Sequence, residues 1–421
     1  MGESVLTDPF PRRGGELLCG GVRAAELARR FGTPLYVYDL RRIRERVRRF
    51  QAAFAGIDHL LAYSVKANGN LALLRHLRDL DCGADITSAG ELFRARRAGI
   101  DGSRILFAGV GKTEEEIASA LRERIYAFNV ESAGELRRLD GVASDLGARA
   151  PFAIRVNPDV LSPTPHEYTA TGHAATKFGV PLRAAADLYR WAAGRAHLEP
   201  RGIDVHIGSQ IIEPAPYLEA LERVLALTEE VASQDVELEF VDIGGGYGIS
   251  YDGGPEMDVE TLACQVIPRV KARGLRLVIE PGRSIVGDAG ILLTTVQYVK
   301  RSGKTFVIID GGMSELIRPS HYGGYHAIER VDHRTPRPRE RLDVVGPICE
   351  AGDFLARDRE MDVPEPGELL AVRTVGAYGF TMASNYNGRL RPAECIVDGE
   401  KVRLVRRRET VEDLVRGEEE P

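Results

Sequence analysis

LLAYSVKANGNLALLRHLRDLDCGADIT, residues 60–87, decides the reading of the fold. A β-rich run, LLAYSV (60–65), ends at Lys66 before an Ala-Asn-Gly turn; an amphipathic segment covers 70–80, and GADIT (83–87) is the next β-rich run. The same alternation continues outward through RILFAG (104–109), IYAFNV (125–130), FAIRVN (152–157), IDVHIG (203–208), EFVDIG (239–244) and RLVIEP (276–281). Helical stretches fall between them at 89–98, 113–121, 131–147, 181–193, 215–234 and 258–273, and another at 41–55 precedes the first strand. Parallel strands need such crossovers, and eight units within about 240 residues predict an α/β fold built on a closed (β/α)8 barrel of the TIM type, not an open doubly wound sheet.

After residue 282 the pattern changes. ILLTTVQYVKRSGKTFVIIDGG (291–312) has β-type runs broken by a Ser-Gly turn, and ELLAVRTVGAYG and AECIVDGEKVRLVRRRET read as further strands and a hairpin. A second, mostly antiparallel β domain is expected from residues 1–35 and 283–421, with the barrel over 36–282. The connection 157–180, rich in Pro, Thr, His and Gly, is longer than an ordinary barrel loop and is expected to be a partly mobile active-site loop.

Composition narrows the function. Of 421 residues, 43% are hydrophobic and 28% charged, and no apolar stretch reaches the ~18 residues of a membrane span, so a soluble globular protein is expected. A net charge of -6 argues against a nucleic-acid partner. RRIRERVRRF (41–50) carries Ile43, Val47 and Phe50 at helical spacing and reads as the solvated face of a helix. The opening MGESVLTDPFPRRGG lacks the apolar core of a signal peptide, which favours a cytoplasmic location. Cys19, Cys82, Cys264, Cys349 and Cys395 are scattered, without a C-x-x-C pair, and are expected as free thiols. Neither H-E-x-x-H nor clustered Cys/His spacing occurs, so no metal is expected.

Barrel enzymes work at the C-terminal ends of their strands. There the sequence places Lys66, Asp85, Arg155, HIGSQ (206–210), GGGYG (244–248) and EPGR (280–283). Singly, each has an ordinary reading: a solvated lysine, a core histidine, a tight glycine turn. Their convergence on one rim argues for chemistry. GGGYG is not spaced as G-x-G-x-x-G and no P-loop is present, so nucleotide binding is not indicated. Loops after strands seven and eight of barrels commonly bind phosphate, and a phosphate-bearing cofactor facing a rim lysine suggests pyridoxal 5'-phosphate.

YSVKAN, HIGSQI, GGGYGI, EPGR, DGGMSELIRP, CEAGD and GAYGFTMASNYN, in this order, resemble the alanine-racemase-type pyridoxal-phosphate decarboxylases over roughly residues 20–410. The resemblance implies that Lys66 forms the Schiff base with the cofactor, that His206 lies against the pyridine ring and that Glu280 pairs with the ring nitrogen. It implies phosphate contacts from Ser209, Gly244, Gly245, Gly246, Gly282 and Arg283 in the EPGR turn with Pro281, help from the Tyr378 hydroxyl, and supporting roles for Asp85 and Arg155. Cys349 becomes the proton donor, contributed across a homodimer interface. Ala351 stands where the family often has Ser, a change expected to be harmless.

Specificity must come from the far end of the substrate, for which Arg283, Arg318, Tyr322, Glu350 and Tyr378 are the candidates. A guanidinium fork suits a carboxylate, whereas a plain diamine product would call for acidic partners alone. Arg318 with Glu350 therefore favours meso-2,6-diaminopimelate as substrate and L-lysine as product. Ornithine, arginine or a carrier-bound amino acid is the alternative, and a non-catalytic cofactor-binding regulator a further one.

Overall fold

The computed structural model describes residues 8–160, 166, 172 and 176–419. The chain folds as two compact units, one of Arg46–Ile249 with Pro255–Ser284 and one of residues up to Glu45, Ser250–Gly254 and Ile285 onward.

In the first unit, eight strands (His59–Ser64, Gly83–Ile86, Ile105–Phe107, Ala127–Val130, Ala150–Asn157, Leu198–Val205, Phe240–Asp242 and Arg276–Ile279) pair in parallel, each with its neighbours in chain order. Pairing of Ala127–Val130 with Ala150–Asn157, and of Arg276–Ile279 with His59–Ser64, leaves no edge: the barrel is closed. Leu60, Ala62, Leu106, Ala127, Ala153, Phe240 and Val278 fill its interior as one cluster. The intervening helices start where a polar side chain can take an orphan amide: Asn70 accepts from Ala72, Ser88 from Glu91, Ser132 from Glu135 and Asp258 from Thr261. Each cap sets where a helix begins, and so the length of the loop that carries a rim residue.

The second unit is a nine-stranded, mostly antiparallel sheet. Gly290–Ser302 pairs antiparallel with Lys304–Ile309, Leu369–Val372 and Leu35–Asp39, and Leu35–Asp39 continues the sheet in parallel to Ala393–Asp398. The boundary expected at 35/36 cuts the strand Leu35–Asp39, whose five residues are all buried within this sheet, and the unit boundary falls at Glu45/Arg46. Leu35, Val37, Ile291, Leu293, Ala371, Ala393, Cys395 and Val397 form the core beneath it. The five cysteines are free thiols, Cys19, Cys82 and Cys395 buried and Cys264 and Cys349 exposed. The loop expected at 157–180 falls mostly outside the described residues, and among those residues no helix is long and apolar enough to cross a membrane.

Candidate active site

The barrel rim is built from strand ends. Lys66 sits in the single turn Val65–Ala67 that follows the first strand, and its Nζ donates to Asp85 Oδ2 on the second strand at 2.7 Å. Asp85 is fully buried, and Ser64 Oγ donates to the same oxygen at 3.0 Å. Pro281 accepts from the Ser64 amide, and Gly282 packs so closely on this turn that a Cβ would come within 3.0 Å of Ser64 Cβ. The loop after the eighth strand is thereby locked to the lysine turn.

His206 follows the sixth strand. Its Nδ1 accepts the Gly245 amide at 3.1 Å, which places the ring proton on Nε2. Desolvation, then the charges of Arg155 and Lys66, push its pKa well below 6.5, so the imidazole is neutral. In the triplet itself the Gly244 amide donates to Asp242 Oδ1 at 2.8 Å, so the Gly244 and Gly245 amides shape the turn. At Gly246, φ is 93° and a Cβ would lie 2.1 Å from the Gly208 carbonyl, a position open to glycine alone. Arg283 Nη2 donates to Ser209 Oγ at 3.0 Å, joining the loops after strands six and eight.

Beneath these groups lies a buried acid cluster. One carboxylate oxygen each from Asp204, Asp242 and Glu280 falls within 4.8 Å of the others, and Asn129 Nδ2 donates to Glu280 Oε1 at 3.4 Å. Burial raises all three, and repulsion within the cluster adds to it at Glu280 and Asp204: these two stand well above the carboxylate range, and Asp242 rises to about 6. Carboxylates this close in a dry space cannot all ionise, so the cluster retains protons at neutral pH. Alongside it, Arg155 Nη1 donates to Glu131 Oε1 at 3.1 Å, both side chains buried.

The second unit holds the remaining candidates. Cys349 and Glu350 are exposed on a turn clamped by Asp353, whose Oδ1 accepts the Met313 amide at 2.7 Å and Oδ2 the Ile348 amide at 2.6 Å. Tyr386 donates its hydroxyl proton to Glu350 Oε2 at 3.2 Å. Arg318 opens the helix Arg318–Tyr322, is buried, and places its guanidinium over the Tyr251 ring at 4.8 Å. Tyr322 is half-buried, edge-on to His321, and Tyr378 is half-buried in a left-handed turn with φ 56°.

The donor set of the rim fits pyridoxal phosphate: a lysine amine, a neutral imidazole, a basic buried carboxylate, and a glycine turn beside a serine and an arginine. Similarity to known proteins points the same way. A family model described as pyridoxal-dependent decarboxylase, pyridoxal binding domain, matches residues 40–287. Diaminopimelate decarboxylase of Pseudomonas aeruginosa is 47% identical over 98% of this chain and 99% of its own, and that of Aquifex aeolicus 48% identical over 96% of each.

The chain belongs to the diaminopimelate decarboxylase family.

A crystal structure of the Helicobacter pylori member of that family, complexed with L-lysine, superposes with a TM-score of 0.90 at 40% identity, covering 93% of this chain and 98% of that one. Asn129, Glu131, Asp204 and Asp242 on the barrel and Tyr251, His326, Asp353 and Tyr386 on the sheet unit join the candidates through their contacts, without having stood out in the sequence. A signal existed for two of them: IDVHIG and EFVDIG each carry an acid inside an otherwise apolar run, which calls for a buried partner.

Proposed function

We propose that this chain decarboxylates meso-2,6-diaminopimelate to L-lysine and carbon dioxide, the last step of lysine synthesis, as a cytoplasmic homodimer using pyridoxal 5'-phosphate. The near-full-length similarity to diaminopimelate decarboxylases carries the reading. The cofactor, when bound, supplies an aldehyde that bonds an amine and a ring that accepts the electron pair left as carbon dioxide departs.

The rest of the work belongs to the chain. Lys66 supplies the amine and Asp85 orients it. His206, held neutral and tied to Gly245 through Nδ1, offers its ring as a flat, uncharged neighbour for the pyridine. Glu280 would pair with the ring nitrogen and share a proton with it, and its burial, which raises its proton affinity, suits it to that sharing. Gly246, Ser209 and Arg283 hold the phosphate, while Gly244, Gly245, Pro281 and Gly282 keep the two loops close, and Arg155 with Glu131 supports the rim.

Cys349 from a second copy of the chain donates the proton that replaces carbon dioxide, from Sγ; its exposure supports a role at a subunit boundary. Arg318, with Tyr322, takes the distal carboxylate, and Glu350, next to Cys349 on that second copy, takes the distal ammonium. Steady-state assays over meso-diaminopimelate, its other stereoisomers, ornithine, arginine and lysine test the assignment. The highest kcat/KM belongs to meso-diaminopimelate; a higher value for ornithine or arginine would replace it.

A further inference from the structure

Arg318 does not stand alone. Its Nη1 lies 2.7 Å from His326 Nε2, and His326 Nδ1 lies 2.9 Å from the backbone carbonyl of Arg373. His326 is fully buried, and its ring meets the Tyr251 ring edge to face at 5.4 Å. The partners fix the protonation state. A guanidinium only donates, so Nε2 must accept; a carbonyl only accepts, so Nδ1 must carry the proton. Both contacts are satisfied together only by the neutral imidazole with its proton on Nδ1.

A guanidinium and an aromatic ring meet the imidazole, and a second guanidinium holds its backbone. Arg318 approaches from the helix Arg318–Tyr322, Arg359 of strand Phe354–Asp362 donates from Nη1 to the His326 carbonyl at 2.9 Å, and Tyr251 comes from the segment 250–254. Arg373 presents its carbonyl, and its own guanidinium donates to Glu329 and to Asp8. A second proton on His326 would set an Nε2–H against an Nη1–H and a cation against a cation, and the Arg318 fork would have to turn away.

We propose that His326 is a positioning residue for substrate recognition: its neutral ring aims the Arg318 guanidinium, and a proton on Nε2 releases that aim, so that acid weakens binding of the distal carboxylate. This rests on the reading of Arg318 given above. The test compares pH profiles of KM and kcat for the cofactor-loaded enzyme and its His326→Gln, His326→Leu and Arg318→Ala variants, with meso-diaminopimelate as substrate.

In the wild type, KM rises by about tenfold per pH unit below the titration of His326 while kcat changes less. Gln donates to the carbonyl and accepts from Arg318 without titrating, so His326→Gln keeps KM at neutral pH within about threefold of the wild type and lacks the acid rise. His326→Leu raises KM about tenfold at every pH with little change in kcat. A wild-type KM that stays flat between about pH 8 and 5 overturns the proposal without any variant. So does an acid rise that persists in His326→Gln, or an unchanged KM in His326→Leu. If Arg318→Ala itself leaves KM unaltered, the reading of Arg318 fails and this proposal with it; if Arg318→Ala raises KM but the His326 variants match the wild type, only the positioning role fails.

Discussion

Lys66 Nζ and Asp85 Oδ2 are 2.7 Å apart, and the aspartate is completely buried while the lysine side chain is 36% exposed. The buried partner therefore fixes the exposed one, as a reactive amine at a pocket mouth requires. Lys66→Ala should leave no cofactor mass on the chain after borohydride reduction, read by mass spectrometry. Asp85→Asn should keep the covalent link but weaken cofactor retention by about tenfold, since a charge-assisted hydrogen bond is lost.

The acid cluster makes stability depend on pH. Asp242 is raised from 3.8 to about 6, chiefly by burial and against the opposing Gly244 amide. The folded chain holds this proton more tightly than the unfolded chain, so the stabilisation is full below the unfolded value and is lost as pH rises through about 6. Asp242→Asn is uncharged throughout. In cofactor-free protein its melting temperature should exceed that of the wild type by several degrees at pH about 8, and the gap should close towards pH about 4.

Asp353 reaches the site through the backbone. Its two oxygens take the Met313 and Ile348 amides, and a Cβ at Gly312 or Gly346 would come within 2.5 Å of them. Asp353→Ala orphans both amides and should cost about 1–3 kcal/mol in thermal or denaturant unfolding, with kcat falling because the turn bearing Cys349 and Glu350 loses its clamp.

If Cys349 acts across a subunit boundary, Lys66→Ala and Cys349→Ala are each inactive as pure proteins. Mixed and allowed to exchange subunits, they should regain up to about a quarter of wild-type activity, because half the dimers then carry one intact site of two. Activity that stays at the level of the separate variants would place lysine and cysteine of each site on the same chain.

Much of this was legible in the sequence because it is local. Each barrel strand announced itself as a short apolar run, and Lys66, His206 and Glu280 sat at run ends, where a barrel puts its working groups. What escaped depends on pairing between distant segments. LYVYD (35–39) opens beside the β domain, but a boundary at 35/36 cuts it, and only its pairing with 290–302 and 393–398 assigns the whole strand to the sheet. Asp204 and Asp242 looked like breaks in apolar runs until the closed barrel brought them beside Glu280. His326 belongs to no motif; its significance lies in one contact to a residue eight positions away.

The most direct measurement supplies the purified chain with pyridoxal phosphate and meso-diaminopimelate and follows gas and product together. The account predicts carbon dioxide and L-lysine in equal amounts, with neither formed by the Lys66→Ala variant. Lysine without carbon dioxide, no turnover at all, or undiminished turnover by Lys66→Ala would contradict it.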